Sequence, residues 1–539
     1  MCRLNVCSRV TMKIATIMLL VLSACTTEKE IINLVPNEPA ADVPNYYCTW
    51  QYQLWFQEPP VTTRDVVCHD ILFGDNGLAK TIYPELRKDL YFVLDDGWDL
   101  PYDGGKMSPG PYFGGLVISE TKFPGYGDTP QERLKTMVKN IEDCGWKGTG
   151  IWICAQEDEQ NRGETWKEEY WRERIEWSKY AGIKYWKVDW GIYCDKQEWR
   201  QMITRLADEI YPDLIIEHAF CCPPINDWKG TGLNRCTPEF IETCMYTASY
   251  SDVFRNYDIT EELSVATSLD RIGEFLLAAH TDGKHLGFMN SEDEVYMGAS
   301  MGLTMGVMRY PLKGKEQNSP FLATRPIRKM LDEVTRAVRW QRIAPAYRTD
   351  AYDVQVSDEY LTDDYVFGPY WTKDVENKHI KQMAPAVIAR GISLPEVSVE
   401  SGEKPFVLAA RNPNGAISIA TFGRTNASTK YKAIEAKITL NAGDLTGKIG
   451  VFGYYDELKL SFNQSLEGKT VLAQDLKDNK AIDITSDVMI KGNDIVICGS
   501  LIKKIGRMKA TDGDLSEPGL VLQIGESKDF LPAPLIKES

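Results

Sequence analysis

Residues 46–344 predict a (β/α)8 barrel and residues 345–539 an antiparallel β-sandwich behind it, an α/β architecture in two domains. Three observations carry this expectation. A length of 539 residues asks for two or three domains. Short apolar runs alternate with helix-periodic segments over roughly 270 residues, the rhythm of parallel strands joined by crossover helices. Beyond about residue 345 the helical period fades, and alternating strand-like runs separated by turn residues replace it.

The elements follow in order. A first strand is expected over YCTWQYQL (47–54) and a second over YFVL (91–94). Asp128 and Thr129 offer caps to a helix near 129–144, in which Leu134, Met137, Val138 and Ile141 repeat at i, i+3, i+4 and i+7. GIWIC (150–154) is strand three, and Trp166, Tyr170 and Trp177 mark the helix after it. KYWKV (184–188) is strand four, followed at helical spacing by Trp199, Ile203, Leu206 and Ile210. LIIEHA (214–219) is strand five, and strand six is placed near MYTASYS (245–251). A helix over roughly 260–279, through Leu263, Ala266, Leu269 and Phe275, leads to LGFM (286–289) and GVM (306–308), which bring the count to eight. In the second domain AISIATFG (416–423), YKAIEAKITL (431–440), KIGVFGYY (448–455) and DIVIC (494–498) read as strands, with Asn412-Pro413-Asn414-Gly415 as a turn.

Composition removes several functions. The chain is 43% hydrophobic and 26% charged, which excludes wholesale disorder. Lys and Arg total 61 against 77 Asp and Glu, and the resulting net charge of −16 repels nucleic acid. The five His (69, 218, 280, 285 and 379) form no HExxH motif or cluster, and no P-loop, dinucleotide-binding loop or GxSxG elbow occurs. No metal or cofactor is therefore expected. Ten of the 13 Cys lie beyond Cys25, none in a CxxC pair, and are expected to be mostly buried thiols with one or two bridges.

In a barrel of this kind the chemistry sits at the strand C-termini. Three of them carry carboxylates: Leu94-Asp95-Asp96-Gly97-Trp98 after strand two, Trp186-Lys187-Val188-Asp189-Trp190-Gly191 after strand four, and Ser251-Asp252-Val253-Phe254-Arg255-Asn256-Tyr257-Asp258-Ile259 through strand six. Taken singly, Asp-Gly is a hairpin signal, and an Asp behind a strand caps the next helix. Taken jointly, acids at alternate strand ends of one barrel point to one pocket.

The order DDGW, K-x-D and R-N-x-D-I resembles the retaining α-galactosidases of glycoside hydrolase families 27 and 36, over roughly residues 46–340 with the β-sandwich behind. The resemblance implies Asp189 as nucleophile and Asp258 as general acid/base. It implies Asp95, Asp96, Lys187 and Arg255 as sugar-binding groups, and Trp50 and Trp152 as aromatic pocket walls, for which a core role is the equal alternative. The implied activity is a retaining exo-glycosidase acting on oligosaccharide or polysaccharide α-galactosides. A β-L-arabinopyranosidase on the same frame and a non-catalytic, lipid-anchored glycan-binding protein are the alternatives.

Elementary chemistry agrees. Cleavage with retention needs two carboxyl groups ~5–5.5 Å apart, one to attack the anomeric carbon and one to protonate the leaving oxygen. Lys187 shares a strand face with Asp189 and is expected to keep it ionised, while Arg255 grips substrate. The chain departs from the family in three places. Only two residues separate Arg255 from Asp258, which leaves Asp252 as a competing acid. Glu217-His218-Ala219-Phe220-Cys221-Cys222 replaces a Cys-Glu-Trp element after strand five, with Glu217 either a binding residue or a core acid. Met289-Asn290-Ser291-Glu292-Asp293-Glu294 replaces a Trp-Asn-Asp-Pro-Asp element near strand seven.

The N-terminus reads as an address. KIATIMLLVLSA (13–24) is too short to span a bilayer, and Leu22-Ser23-Ala24-Cys25 resembles a bacterial lipobox. Residues 1–25 are thus expected to be a lipoprotein signal with Cys25 as the acylated residue, and residues 26–45 a tether. An ordinary cleaved signal peptide is the alternative. The absence of Asp at position 26 favours the outer membrane, on its periplasmic or surface face. Cys25→Ser is expected to move the protein from the membrane to the soluble fraction of fractionated cells; a wild-type protein that is itself soluble contradicts the anchor.

Overall fold

A computed structural model describes residues 32–39, 41–55, 62–102, 112–219, 233–234, 238–256, 263–282, 287–311, 325–366, 379–426, 430–526 and 530. Eight parallel strands form the first domain: β1 (Tyr46–Cys48), β2 (Tyr91–Leu94), β3 (Gly148–Ile153), β4 (Tyr185–Val188), β5 (Ile215–Ala219), β6 (Val253–Arg255), β7 (Phe288–Asn290) and β8 (Gly306–Val307). They are hydrogen-bonded in the order β7-β6-β5-β4-β3-β2-β1-β8. A parallel bridge between Asn290 and Thr304 closes the ring. Crossover helices follow β2 to β8 in turn: α1 (Pro130–Glu142), α2 (Glu168–Ala181), α3 (Gln197–Ile210), α4 (Pro238–Ala248), α5 (Val265–Asp282), α6 (Val295–Met301) and α7 (Leu331–Gln341). This is the (β/α)8 barrel that the alternating pattern predicts.

Local chemistry sets these elements. Thr129 caps α1: its hydroxyl accepts from the Glu132 amide, and Glu132 returns a bond to the Thr129 amide, satisfying two orphan donors. Along β4, Tyr185 and Lys187 face the barrel interior while Trp186 turns out and donates to Ser178 of α2 at 3.0 Å. Glycine makes room where the interior is crowded. A Cβ on Gly150 would stand 2.7 Å from the Val93 side chain, and one on Gly306 would stand 2.4 Å from the Tyr46 hydroxyl.

Two strands differ from expectation. The first stops at Cys48, and Trp50–Trp55 is helical. The segment expected as strand six lies instead on α4, because Phe240, Cys244 and Ala248 bury one face at helical spacing behind Pro238 at the first helical position. The sixth strand is Val253–Arg255.

The second domain is a sandwich of an eight-stranded and a five-stranded sheet. Neighbours are mostly antiparallel, but Val387–Arg390 with Phe406–Arg411, Ile417–Phe422 with Ile449–Phe452, and Lys437–Gly443 with Glu457–Phe462 run parallel. The run expected as one strand over 431–440 is split into Lys430–Lys432 and Lys437–Gly443. A helix, Gly499–Gly506, plugs Ile502 and Ile505 into the sandwich core.

The larger sheet is buried on both faces. Val407 and Ala409 point into the sandwich, while Phe406 and Leu408 join the core that contains Tyr296 of α6 and Trp340 of α7. Trp340 donates to the Ala299 carbonyl at 3.1 Å and packs against Gly450, where a Cβ would meet its ring at 2.9 Å. The expected tether is not free from residue 32 onward. Leu34 and Val35 are buried, the Leu34 amide donates to Gln474 at 2.6 Å, and Arg342 holds the Asn37 carbonyl at 3.1 Å. Residues 1–31, with the apolar leader and Cys25, lie outside the described residues. No helix among the described residues is long and apolar enough to cross a membrane.

Candidate active site at the barrel mouth

The inner faces of β2, β4, β5, β6 and β7 deliver their last side chains to one place. Lys187 donates to Asp95 Oδ2 at 2.7 Å, and the Cys48 thiol donates to the same oxygen at 2.9 Å. Burial works against the charge on Lys187, Asp95 and Cys48 work for it, and the outcome holds the ammonium pKa well above its usual range. Asp95 Oδ1 accepts from the Asp96 amide at 2.8 Å. Asp96 is itself gripped by Arg64 through Nε and Nη2, both at 2.9 Å. Burial pushes the Asp96 carboxyl up to about 6, with Arg64 opposing the rise and Asp95 and Asp189 adding to it.

Asp189 stands just beyond β4, 6% exposed. Its Oδ2 accepts from the Trp152 indole at 2.8 Å, and its Oδ1 lies 3.1 Å from Arg255 Nη2. The cation on Asp189 is thus Arg255, whereas Lys187, expected there, pairs with Asp95. Arg255 also faces Glu217 through Nε at 3.3 Å and Glu292 through Nη1 at 3.0 Å. It is 1% exposed, and among the described residues Asp189, Glu217 and Glu292 surround it.

Glu217 is a core acid. It accepts from Tyr46 at 3.2 Å, Tyr185 at 2.7 Å and Asn290 at 2.7 Å, and no part of its side chain reaches solvent. Glu292 was not singled out from the sequence. It sits at φ +49°, a left-handed conformation that costs a non-glycine residue about 1–3 kcal/mol and persists only where the surroundings impose it. Asn290 does so here, its side-chain oxygen accepting from the Glu292 amide at 2.7 Å. An acidic run behind a strand end was the available cue; the backbone conformation had none.

Trp152 is fully buried beneath Asp189, with its ring 5.7 Å from Phe113 and 6.0 Å from Trp190. Trp50 opens the helical turn after β1 and packs, half-buried, on the interior cluster containing Tyr46 and Tyr185. Asp258 lies outside the described residues, as do Cys221 and Cys222. Asp252 is at the other end of the barrel. It precedes β6, accepts from the Ile216 amide at 2.8 Å, and lines a floor cavity of about 1260 Å³ with Lys184, Tyr91 and Gly287. The strand direction separates it from the mouth, where Arg255 ends the same strand. Among the described residues no group of three or more His, Cys, Asp or Glu is arranged to hold a metal ion. The described cysteines, including Cys48 and Cys154, are free thiols.

No protein-family model matches the chain. No curated protein matches it. Solved structures overlap it weakly. A Bacteroides fragilis protein named as a candidate alpha-galactosidase/melibiase is 11% identical, with 85% of this chain and 79% of that one covered and a TM-score of 0.34. An Anoxybacillus alpha-amylase is 8% identical, with 90% and 98% covered and a TM-score of 0.40. The carboxyl transferase domain of Rhizobium etli pyruvate carboxylase is 10% identical, with 48% of this chain and 37% of that one covered and a TM-score of 0.29. Such overlaps do not separate one chemistry from another, and the reading of the site rests on its own geometry.

Asp99, three residues beyond Asp96, gives the site a pH signature. Burial raises its carboxyl to about 7, against the Leu116 amide and helped by Asp96. The folded protein therefore holds a proton that the unfolded chain loses near pH 4. Stability from this group is present at low pH and lost as pH rises through 7, by roughly 4 kcal/mol in all. Asp99→Asn is expected to remove that slope, its advantage over wild type in urea unfolding growing from near zero at pH 4 to a few kcal/mol at pH 8. An advantage equal at both pH values contradicts the assignment.

Proposed function

We propose that the protein is a retaining exo-glycoside hydrolase acting on α-galactoside-type glycans, held at the outer membrane by a lipid on Cys25. The observation that carries the reading is the carboxylate of Asp189, presented at the end of β4 between an indole N–H and a guanidinium, beside the Lys187–Asp95 pair. A carboxylate anion accepts only: Oδ2 takes the indole N–H, and Oδ1 faces the guanidinium charge.

In the proposed reaction Asp189 attacks the anomeric carbon and the glycosidic C–O bond breaks. The leaving oxygen takes its proton from Asp258, and a glycosyl ester forms on Asp189. Asp258, now ionised, removes a proton from water as that water attacks the anomeric carbon and the bond from that carbon to the Asp189 oxygen breaks. This releases the sugar with its configuration retained and returns Asp189 as a carboxylate. Arg255 and Trp152 fix the direction of attack. Asp95, Lys187 and Asp96 receive hydroxyls on the far side of the sugar, and Trp50 lies on the wall of the same interior. Glu292, fully buried on Arg255, orients rather than contacts.

Asp189→Ala is expected to abolish turnover of every nitrophenyl glycoside that the wild type cleaves, whatever the leaving group. Asp258→Ala is expected to lose ~10²–10⁴-fold on natural glycosides but little of the first step on a dinitrophenyl glycoside, with azide restoring the second step. Asp252→Ala is expected to leave turnover near the wild-type rate. A leaving-group-dependent loss in Asp252→Ala and none in Asp258→Ala contradicts the assignment of the acid.

A further inference from the structure

The segment Asn290–Glu294 runs between the site and the sandwich and is pinned from both sides. Toward the site, Glu292 meets Arg255 at 3.0 Å with its backbone in the left-handed region. Toward the sandwich, Asp293 offers its carbonyl to Arg309 at 2.7 Å and its carboxylate to the Met308 amide at 3.0 Å, and the carboxylate of Glu294 pairs with Arg325. The network continues across the domain boundary. Arg325 reaches Glu333 of α7 at 3.2 Å, and its guanidinium lies 5.6 Å from the ring of Tyr431 and 5.7 Å from that of Phe422, both residues of the second domain. Glu333 accepts from the Glu517 amide at 3.1 Å, and Tyr431 donates to Glu517 Oε1 at 2.6 Å. Arg325, Glu333, Glu294 and Glu517 are each at most 2% exposed, and Tyr431 at the outer end is half-buried.

We infer that Tyr431 and Glu517 of the second domain are positioning residues of the active site, acting through Arg325 and Glu294 to hold Glu292 against Arg255, and Arg255 against Asp189. A buried ion network of this kind tolerates few arrangements, because moving one member leaves a neighbouring charge in a dry environment without its hydrogen bonds. A strained residue such as Glu292 keeps its conformation only while both flanks are anchored. The second domain on this account supplies the outer anchor. The effect on turnover, though not the mechanical link itself, rests on the reading of Asp189 as the attacking carboxylate.

The test uses the full-length protein with Tyr431→Phe, which deletes one hydroxyl, and Arg325→Lys, which keeps the charge. Ile495→Val in the far sheet of the sandwich is the control for general destabilisation. Hydrogen exchange followed by mass spectrometry reads the link without any substrate. Amides 290–294 are expected to exchange at least about tenfold faster in both variants and at the wild-type rate in the control. Kinetics on the best nitrophenyl glycoside are expected to show kcat about tenfold lower with KM within about twofold. Exchange over 290–294 that matches the control overturns the inference. Faster exchange in an enzyme that cleaves no glycoside supports the link and places the failure on the reading of the site.

Discussion

One buried guanidinium organises the mouth of this barrel. Arg255 ends the sixth strand and meets carboxylates from the fourth, fifth and seventh: Asp189 at 3.1 Å, Glu217 at 3.3 Å and Glu292 at 3.0 Å. Removing one partner of a buried pair typically costs 3–5 kcal/mol, because the other charge is left without compensation, so this cluster resists piecemeal change. It converts three strand ends into one rigid unit. Asp189 can hold a fixed direction because its anchor is fixed by two other acids. Glu217 is in turn held by Tyr46, Tyr185 and Asn290, and the Glu292 amide by the side chain of Asn290.

The second pair, Lys187 with Asp95, sits next to this unit without merging into it. The inner face of β4 places Lys187 one step below Asp189, yet the ammonium turns toward β2 and the guanidinium takes the nucleophile candidate. Both choices follow from geometry. Lys187 has Asp95 Oδ2 and the Cys48 thiol within reach across the neighbouring strands, and Arg255 offers a planar fork that can serve several carboxylates at once. A lysine in place of Arg255 has one nitrogen where three separate nitrogens are in use.

Much of this was legible in the sequence. Apolar runs such as YFVL and DIVIC stop where the strands stop, and the period of two along Tyr185, Lys187 and Asp189 predicts a shared face. The departures are equally physical. Trp50 to Trp55 and Met245 to Ala248 are rich in aromatic or small residues that suit strand or helix alike, and tertiary packing chose helix. The order of residues alone leaves Asp252 a rival acid; the strand begins at Val253, and its parallel direction puts Asp252 on the floor. The role of Glu292, and its link through Arg325 to Glu517, joins residues more than two hundred positions apart, which no local pattern encodes.

The central claim is that Asp189 becomes covalently bonded to sugar. Incubation with the 5-fluoroglycosyl fluoride of the sugar whose nitrophenyl glycoside the protein cleaves, followed by proteolysis and mass mapping, tests it directly. The account predicts one added fluoroglycosyl group on the peptide that contains Asp189, and none in the Asp189→Ala protein. An adduct on another carboxylate, or a product of inverted configuration with no adduct at all, would contradict it.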